Sequence, residues 1–436
     1  MAETWPACAL GLLALAAAAV LSRRLSQSWL SPGAFFAGLW LVACAAPVLG
    51  APEEQVWPEA VWLLVLFVAV FCTAALLAER RTLEREPAGP VSPPRPAPGP
   101  LRFMLLAGCA LGLGAVAALM AGQEHPLSDL LRPEAWVEVG ARYAVGRYEQ
   151  NLDEPLAARL LSVGFYFAAI AGGALWVASR RALDRAAAIL PLLVALAHST
   201  LTTARAVLLF ALSMWAASAF ASLVVARRPI ARIRPLTLLG GAMAAAALVA
   251  VSTGMQLARG GADDLTTPQE AFSHLGTWLF GHLPGFGAWL RDGFDPGAPL
   301  QMGRRTFGGA FQLLGLAERE RGVFADFARL SSGRETNIYT ALRGLIEDFG
   351  LAGGLLSAAI AGWASGVTYA QALRGRPGRQ VALALAYCFI LWTPIVSFFS
   401  YNTLLVAFAL AVPALHPWAQ EGGPHADAAD LRPLPL

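Results

Sequence analysis

Eleven long runs of apolar residues limit what this chain of 436 residues can fold into. A bilayer core of about 30 Å is crossed by roughly 20 apolar residues in a helix, whose backbone hydrogen bonds are all internal. The composition agrees, because 57% of the residues are hydrophobic and only 14% are charged. We therefore predict an all-α polytopic membrane protein with about 11 transmembrane helices. The predicted spans are 5–21, 33–50, 60–78, 102–121, 157–178, 186–201, 206–226, 236–254, 350–372, 381–398 and 402–416.

The arginines predict the orientation of these spans, because they collect in alternate connections. Short cytoplasmic connections are enriched in basic residues, so the arginine-rich connections are predicted to be cytoplasmic. The connection 51–59 carries three acids and no base, as an external connection should. This places the N-terminus outside and the C-terminus inside. The arginines concerned are Arg23, Arg24, Arg80, Arg81, Arg85, Arg95, Arg102, Arg180, Arg181, Arg185, Arg227, Arg228, Arg232, Arg234, Arg374, Arg376 and Arg379.

The spans divide the chain into four parts. Residues 1–254 hold helices 1 to 8 with an outer connection at 122–156, and residues 255–349 form a large outer loop predicted to be helical. Residues 350–416 hold helices 9 to 11, and residues 417–436 form a cytoplasmic tail. Because the largest connections lie outside, we expect any catalytic site to lie on the outer side of the membrane. The sequence shows no internal repeat, which disfavours an inverted-repeat transporter.

The large outer loop is divided in charge. Residues 255–299 carry two arginines and five acids, whereas residues 300–344 carry seven arginines and four acids. The arginine fork binds phosphate through two hydrogen bonds, so the basic half can hold a pyrophosphate. The candidates are Arg304, Arg305, Arg334 and Arg343. In the alternative interpretation, the loop is solvated and these arginines form salt bridges with Glu318, Glu320 and Asp326.

The segment 334–350, RETNIYTALRGLIEDFG, leads directly into the ninth span. Helical spacing places Tyr339, Arg343 and Glu347 on one stripe, with Asp348 on the adjoining one. With the amide of Asn337, this polar face can bind a sugar and a phosphate together, and the tyrosine ring suits stacking on a pyranose. The alternative is an interfacial helix anchored by the tyrosine and a local Arg–Glu pair.

Three further arginines are candidates. Arg205 lies in HSTLTTAR at the outer end of the seventh span. An ionisable group so close to hydrocarbon is costly and indicates function, although snorkelling to the headgroups also satisfies it. Arg142 and Arg147 lie in ARYAVGRYEQN of the outer connection and are candidates for substrate binding. Ion pairing with Glu138 or Glu149 is the favoured alternative for both.

Other chemistries have no motif in this chain. HExxH, GxSxG, a Walker loop and a DxD pair are all missing from the sequence. The six histidines, among them His274 and His282, are scattered, and the five cysteines lie in separate apolar runs without CxxC spacing. We therefore expect neither a metal site nor a cofactor.

One block of the sequence resembles a known family. The segment TNIYTALRGLIEDFGLAGG at 336–354 resembles the Asn–Tyr–Thr and Asp–Phe–Gly block of oligosaccharide repeat-unit polymerases, the Wzy-type O-antigen and capsule polymerases. Three other segments are similar to blocks that occur in the same order in that family. They are SPGAFFAGLW at 31–40, STLTTARAVLLF at 199–210 and GRRTFGGAFQLLG at 303–315.

The resemblance implies an enzyme of the bacterial inner membrane whose active site faces the periplasm. Such an enzyme moves a growing glycan from one undecaprenyl pyrophosphate to a new lipid-linked repeat unit, and the superfamily is thought to work without a metal. The implied partners are the lipid-linked oligosaccharide, the bilayer, a chain-length regulator and a flippase, but no nucleic acid. By position, Arg205 matches the family's arginine at the membrane edge, and Asn337, Tyr339, Arg343 and Asp348 match its terminal block.

The expected mechanism is electrostatic. Glycosyl transfer from a pyrophosphate builds negative charge on the leaving group, which fixed arginines stabilise, while a carboxylate accepts the proton of the acceptor hydroxyl. The expected catalytic residues are Arg205, Arg343, Glu347 and Asp348, with Arg304 or Arg305 assisting. Two alternatives stay open. A glycan ligase of the same superfamily would use a histidine such as His274 or His282, and a flippase or export component would need charged residues inside the spans.

Overall fold

A computed structural model of the chain describes residues 5–51, 53–85, 98–148, 154–227, 250, 253–254, 276–277, 280–318, 324–376 and 378–415. Several predictions fall outside these residues. They are nearly all of the eighth span at 236–254, most of the loop at 255–279, the tail at 417–436, and residues His274, Glu149 and Glu320. The side chain of Arg147 also lies outside the described part.

The described residues are nearly all helical. The α-helices are α1 (Trp5–Ser26), α2 (Pro32–Gly50), α3 (Pro58–Arg85), α4 (Pro98–Ala121), α5 (Pro133–Tyr148), α6 (Leu156–Leu161), α7 (Val163–Ala178), α8 (Ala182–Ala187), α9 (Leu190–Thr202), α10 (Arg205–Val225), α11 (His282–Ala288), α12 (Gly308–Leu313), α13 (Ala341–Leu373), α14 (Arg379–Trp392) and α15 (Asn402–Leu415). Short 3-10 turns lie at Leu127–Leu131 and Phe398–Ser400, and a π-helical turn lies at Trp289–Gly293. Strand β1 (Ala328–Arg329) pairs antiparallel with β2 (Glu335–Thr336).

Among the described residues, eight helical segments are long and apolar enough to cross a membrane. They are α1, α2, α3, α4, α6 with α7, α8 with α9, α10, and α13. Helices α14 and α15 are apolar but shorter. The prediction of an all-α polytopic membrane protein agrees with this architecture. The count of eleven spans and the periplasmic side of the large loop stay predictions.

The spanning helices pack in two groups. Helices α1, α2 and α3 pack together with α13, whereas α4, α7, α9 and α10 form a second group. Helix α14 contacts α10, α13 and α2, and therefore joins the two groups. A close seam lies between α3 and α13, where a Cβ added at Gly362 or Gly366 would collide with the backbone oxygen of Phe71 or Ala75. Small residues at four-residue spacing allow such close packing between membrane helices.

The arginine-rich ends of the helices lie together on one face. Arg374, just after α13, donates to the backbone oxygens of Thr82, at 2.8 Å, and Leu83 at the end of α3. Arg227 after α10 donates to the oxygen of Leu373 at 3.2 Å. We call this side the arginine-rich face. The connections at 53–57, 280–318, 324–340 and 393–401 meet at the opposite ends of the helices, which we call the opposite face.

A salt bridge ties two helices at the arginine-rich face. The guanidinium of Arg102 at the start of α4 donates through Nε and Nη2 to the two carboxylate oxygens of Asp184 in α8, at 2.6 and 2.8 Å. The hydroxyl of Ser179 donates to the same carboxylate at 2.5 Å. Three hydrogen bonds thus fix Asp184, and with it α8, against α4.

Candidate functional site

The candidate site is built around the first turns of α13 on the opposite face. Thr340 is extended and precedes the helix, and the backbone N–H of Ala341 donates to the oxygen of Thr393 at 2.9 Å. The helix is interrupted at Gly350, whose φ of 71° lies in the left-handed region that favours glycine. A short segment, 341–349, is therefore set apart from the longer segment 351–373. The predicted start of the ninth span at residue 350 coincides with this kink.

Arg343 is buried, and each of its three nitrogens donates to one of two carboxylates. Its Nη1 and Nη2 donate to the two oxygens of Asp326 at 2.8 and 2.9 Å. Its Nε donates to Glu347, one turn along α13, at 2.7 Å. The Arg–Glu pair predicted from the four-residue spacing is therefore present, and so is the salt bridge to Asp326 that the alternative interpretation of the loop expected.

Three aromatic rings enclose the guanidinium of Arg343. Its central carbon lies 4.1 Å from the ring centre of Tyr339, 4.3 Å from that of Phe324 and 5.2 Å from that of Trp289. A cation over the face of an aromatic ring is attracted by the ring's quadrupole. All three rings are buried, so Tyr339 holds the arginine and does not offer an open face to a sugar. We call Arg343 with its two carboxylates and three rings the Arg343 centre.

The Arg343 centre perturbs the groups that touch it. Burial raises the pKa of Asp326, but the hydrogen bonds and the charge of Arg343 outweigh this and lower the pKa below its ordinary value. Burial, with the charge of Asp326 as a smaller cause, raises the pKa of Tyr339 to about 12. The Tyr339 hydroxyl therefore stays protonated and donates to Asp326 at 3.2 Å.

Asp348 holds the loop that carries two of the candidate arginines. Its two oxygens accept the backbone N–H groups of Arg305 at 3.0 Å and Thr306 at 2.7 Å. The hydroxyls of Ser397 and Ser400 fix the same loop from the other side, by donating to the oxygens of Thr306 at 2.7 Å and Arg305 at 2.8 Å. Asp348 is completely buried, so it positions the loop 301–306 and exposes no oxygen to an acceptor.

The loop 301–306 brings further positive charge to Glu347. The Nε of Arg305 lies 3.4 Å from the second carboxylate oxygen of Glu347, so this carboxylate sits between two arginines. Glu347 is partly exposed, and Arg304 is exposed. Arg305, Arg343 and Glu347 therefore lie together, and the exposed Arg304 precedes Arg305 in the loop 301–306.

Arg205 is the first residue of α10 and lies on the same face. The helix then carries Phe210, about 7 Å further along its axis. The ring of Phe210 stacks on Trp392 at 3.8 Å and lies 4.5 Å from the ring of Tyr401. These rings flank the segment 397–400 that holds the loop 301–306. Arg205 therefore begins the helix whose Phe210 packs against the aromatic residues next to this segment.

The remaining predicted residues lie on the surface. Arg142 on α5 is exposed and donates to Glu138 at 2.5 Å, the local pair that was its favoured alternative. Arg334 and Asn337 are exposed at and just after the small hairpin formed by β1 and β2. Of Arg147, the structure describes the helical backbone.

Some residues of the site were not predicted from the sequence. Trp289 and Phe324 enclose Arg343, and the exposed rings of Phe307 and Phe327 flank Arg305 and Asp326 in the chain. The aromatic and acidic run at 324–327, FADF, was the available signal for part of this set. Its pairing with α13 depends on the tertiary fold, which spacing along the chain does not reveal.

Comparisons with known proteins add no relative. No family model, curated protein or solved structure matches this chain. Within the part of the chain that the structure describes, no group of three or more His, Cys, Asp or Glu side chains is arranged to hold a metal ion.

Proposed function

We propose that the protein is a glycosyltransferase that polymerises oligosaccharide repeat units linked to undecaprenyl pyrophosphate. The observation that carries the proposal is the contact of Arg305 with Glu347 of the Arg343 centre, with the exposed Arg304 next to Arg305, at the end of a helix long and apolar enough to span a membrane. In a lipid-linked substrate of this class, the pyrophosphate and the first sugar both lie close to the membrane surface. The resemblance of the block 336–354 to the Wzy-type polymerases supports the same substrate class.

The proposed location follows from charge. The site lies on the face away from the arginine-rich ends of the helices, and arginine-rich connections favour the cytoplasmic side. We therefore propose a multi-pass protein of the bacterial inner membrane whose site faces the periplasm. A flippase that delivers the lipid-linked units and a chain-length regulator are the proposed partners.

The pyrophosphate would bind first at the loop 301–306. Arg304 is exposed there, and the backbone of Arg305 is fixed by hydrogen bonds with Asp348 and Ser400, while its Nε lies 3.4 Å from Glu347. Arginine forks match phosphate oxygens in charge and in geometry. Arg343 already has a bidentate carboxylate partner in Asp326, so its proposed task is to hold Glu347 in place. Arg205 would add positive charge at the membrane edge.

The proposed step is a direct glycosyl transfer. The bond between the anomeric carbon and the pyrophosphate oxygen breaks, and the leaving undecaprenyl pyrophosphate keeps the electron pair. The acceptor hydroxyl oxygen forms the new glycosidic bond, and its proton passes to the carboxylate of Glu347. Arg304 and Arg305 stabilise the charge that builds on the leaving oxygen. Glu347 takes this role in preference to Asp348, because both oxygens of Asp348 are occupied by backbone N–H groups.

Sugar rings would stack on the exposed aromatic residues of the site. Phe307 follows Arg305 by two residues, and Phe327 follows Asp326 directly; their exposed fractions are 39% and 59%. Aromatic faces of this kind pack against the apolar face of a sugar ring, and the neighbouring polar groups fix its orientation.

The ligase alternative depended on two histidines of the outer loop, His274 and His282, and the structure explains one of them. His282 is buried at the start of α11, and its Nε2 lies 3.1 Å from the backbone oxygen of Ala43. This contact ties α11 to α2, so we assign His282 a packing role.

A deletion strain tests the proposed function. Lipid-linked glycans are extracted and sized by gel and mass spectrometry, and the strain is complemented with wild type or with the double variant Arg304→Gln/Arg305→Gln. We expect single repeat units to accumulate on the lipid, long polymer to disappear, and only the wild type to restore it. Arg329→Gln is the matched control, because it removes an exposed arginine from β1 on the same face.

Two outcomes would contradict the proposal. Full-length polymer that stays on the lipid and never reaches its final acceptor would identify a ligase. Single units that remain on the cytoplasmic face of the membrane would identify a flippase.

A further inference from the structure

An open groove runs along the lipid-facing side of the seam between α3 and α13. Its walls are residues 69–77 of α3 and residues 359–364 of α13, and its volume is about 690 Å³. The lining is apolar except for the hydroxyl of Thr73. We call it the α3/α13 groove.

The seam itself explains why a groove is present. Gly362 and Gly366 bring the two backbones into contact, so the helices are too close for side chains to fill the outer edge of the seam. Alanines lie along this edge, between the larger and exposed side chains of Leu77, Ile360 and Trp363. The result is a trough with an alanine floor and aliphatic and aromatic walls.

The groove begins at the middle of both helices, and on α3 it extends from there toward the arginine-rich face. The α3 residues that line it, 69–77, rise by about 12 Å along the helix axis. One leaflet contributes about 15 Å of hydrocarbon, half of the bilayer core. The groove therefore matches the depth of one acyl chain whose headgroup lies at the arginine-rich face.

Arg81 lies at the end of the groove that is nearer the arginine-rich face. The guanidinium carbon of Arg81 lies 5.6 Å from the ring centre of Trp363, which also lines the groove. Arg81 is exposed and lies one turn beyond Leu77, and helical side chains lean back toward the N-terminus, here toward the groove. Arg374 is already engaged with the backbone of α3, so Arg81 supplies the charge that faces the groove's end.

We propose that the α3/α13 groove binds one anionic glycerophospholipid, with an acyl chain in the groove and the phosphate on Arg81. Apolar walls that end at a tryptophan and an arginine complement the chain, the interfacial region and the headgroup of such a lipid in that order. The site is separate from the Arg343 centre, and the proposal does not depend on the proposed function. The bound lipid would cover the exposed side of the seam that carries α13.

Native mass spectrometry of the full-length protein tests the proposal. Delipidated protein is titrated with phosphatidylglycerol, with phosphatidylcholine of the same acyl chains, and with undecaprenyl phosphate. We expect one phosphatidylglycerol to bind about fivefold more tightly than phosphatidylcholine, the preference that one arginine near a lipid headgroup provides. Undecaprenyl phosphate is expected to bind more weakly than phosphatidylglycerol.

Two variants and one control separate the headgroup from the groove. Arg81→Gln should remove the preference for phosphatidylglycerol, and Ala364→Trp should weaken all three lipids by filling the groove. The control is Arg185→Gln, because Arg185 also lies over a tryptophan, 5.7 Å from the ring of Trp176, at a different helix pair. It should leave the preference unchanged.

The same titrations can overturn the proposal. Equal affinity for phosphatidylglycerol and phosphatidylcholine in the wild type would do so, as would equal effects of Arg81→Gln and Arg185→Gln. Tighter binding of undecaprenyl phosphate would instead assign the groove to a polyprenyl chain. If Ala364→Trp does not fold, the comparison of the two arginine variants still decides the result.

Discussion

Two bidentate arginine–carboxylate pairs lie at opposite faces of the molecule, and they differ in which partner is buried. In the pair at the arginine-rich face, the side chain of Arg102 is 37% exposed and that of Asp184 is 8% exposed. In the Arg343 centre the order is reversed, because Arg343 is 7% exposed and Asp326 is 56% exposed. The protein encloses an anion at one face and a cation at the other.

This difference separates an ion pair that joins two helices from a buried arginine that also holds the neighbouring carboxylate of Glu347. Asp184 has three hydrogen bonds from two residues and is enclosed by them, so the pair fixes α8 to α4. Arg343 has its aromatic walls and Glu347 in addition to Asp326, so its position does not depend on the exposed carboxylate alone.

The largest predicted effect compares Arg343→Met with Arg102→Met. We expect Arg343→Met to lower polymer formation by about 100-fold per folded molecule, because Glu347 loses the group that orients it beside the leaving phosphate. We expect Arg102→Met to keep the activity of the folded protein but to lower its melting temperature, because the enclosed Asp184 loses its cation. Polymer yield normalised to folded protein and thermal unfolding in detergent measure the two effects.

The opposite effects of the two variants would contradict these assigned roles. If Arg102→Met abolished polymer at a normal melting temperature, the tie at the arginine-rich face would belong to the catalytic machinery. If Arg343→Met left polymer formation unchanged, the Arg343 centre would be a packing feature of α13.

A second prediction divides the adjacent carboxylates Glu347 and Asp348. Glu347→Gln should lower the rate of transfer by about 100-fold at an unchanged melting temperature, because a positioned base contributes at least that factor. Asp348→Asn should destabilise the protein by about 1–3 kcal/mol, because the new amide cannot accept from both backbone N–H groups of the loop. The transfer rate in proteoliposomes and chemical unfolding measure these changes. Equal effects of both variants on rate and stability would show that the two carboxylates act as one unit.

The smallest predicted effect concerns pH and Asp326. The pKa of Asp326 is lowered in the folded protein, so its contribution to stability is present at neutral pH and is lost as the pH falls through this lowered value. The difference in melting temperature between wild type and Asp326→Asn should therefore be constant from pH 7 to about 5, start to fall near the ordinary aspartate pKa of about 3.9, and disappear only below the lowered pKa of the folded protein. A difference that disappears already near pH 6 would contradict the paired state of Asp326.

The sequence predicted those features that depend on local spacing. Apolar runs of roughly 20 residues located the eight long apolar helices; the ends differ by one residue for 206–226 against Arg205–Val225, but by nine at the start of 350–372 against Ala341–Leu373. The four-residue spacing predicted the Arg343–Glu347 pair, which is present at 2.7 Å. Both are properties of a single helix, so no knowledge of its neighbours was needed.

The features that the sequence did not predict depend on distant segments. Asp326 and Phe324 reach Arg343 from an irregular segment before the hairpin, and Trp289 reaches it from the end of α11. The separate roles of Glu347 and Asp348 were also hidden, because the two residues are adjacent and chemically alike. The two residues differ because backbone N–H groups of the loop 301–306 donate to Asp348. That loop lies more than 40 residues away along the chain.

The kink at Gly350 has a mechanical consequence for a protein in a fluid bilayer. Membrane helices respond to changes in bilayer thickness by tilting. In α13 such tilting would act on the segment 351–373, whereas the segment 341–349 is fixed by Asp326, the loop 301–306 and Thr393. Gly350 would therefore allow the segment 351–373 to tilt in the lipid while the segment 341–349 keeps its position. We expect the relative positions of the arginines to be preserved when bilayer thickness changes.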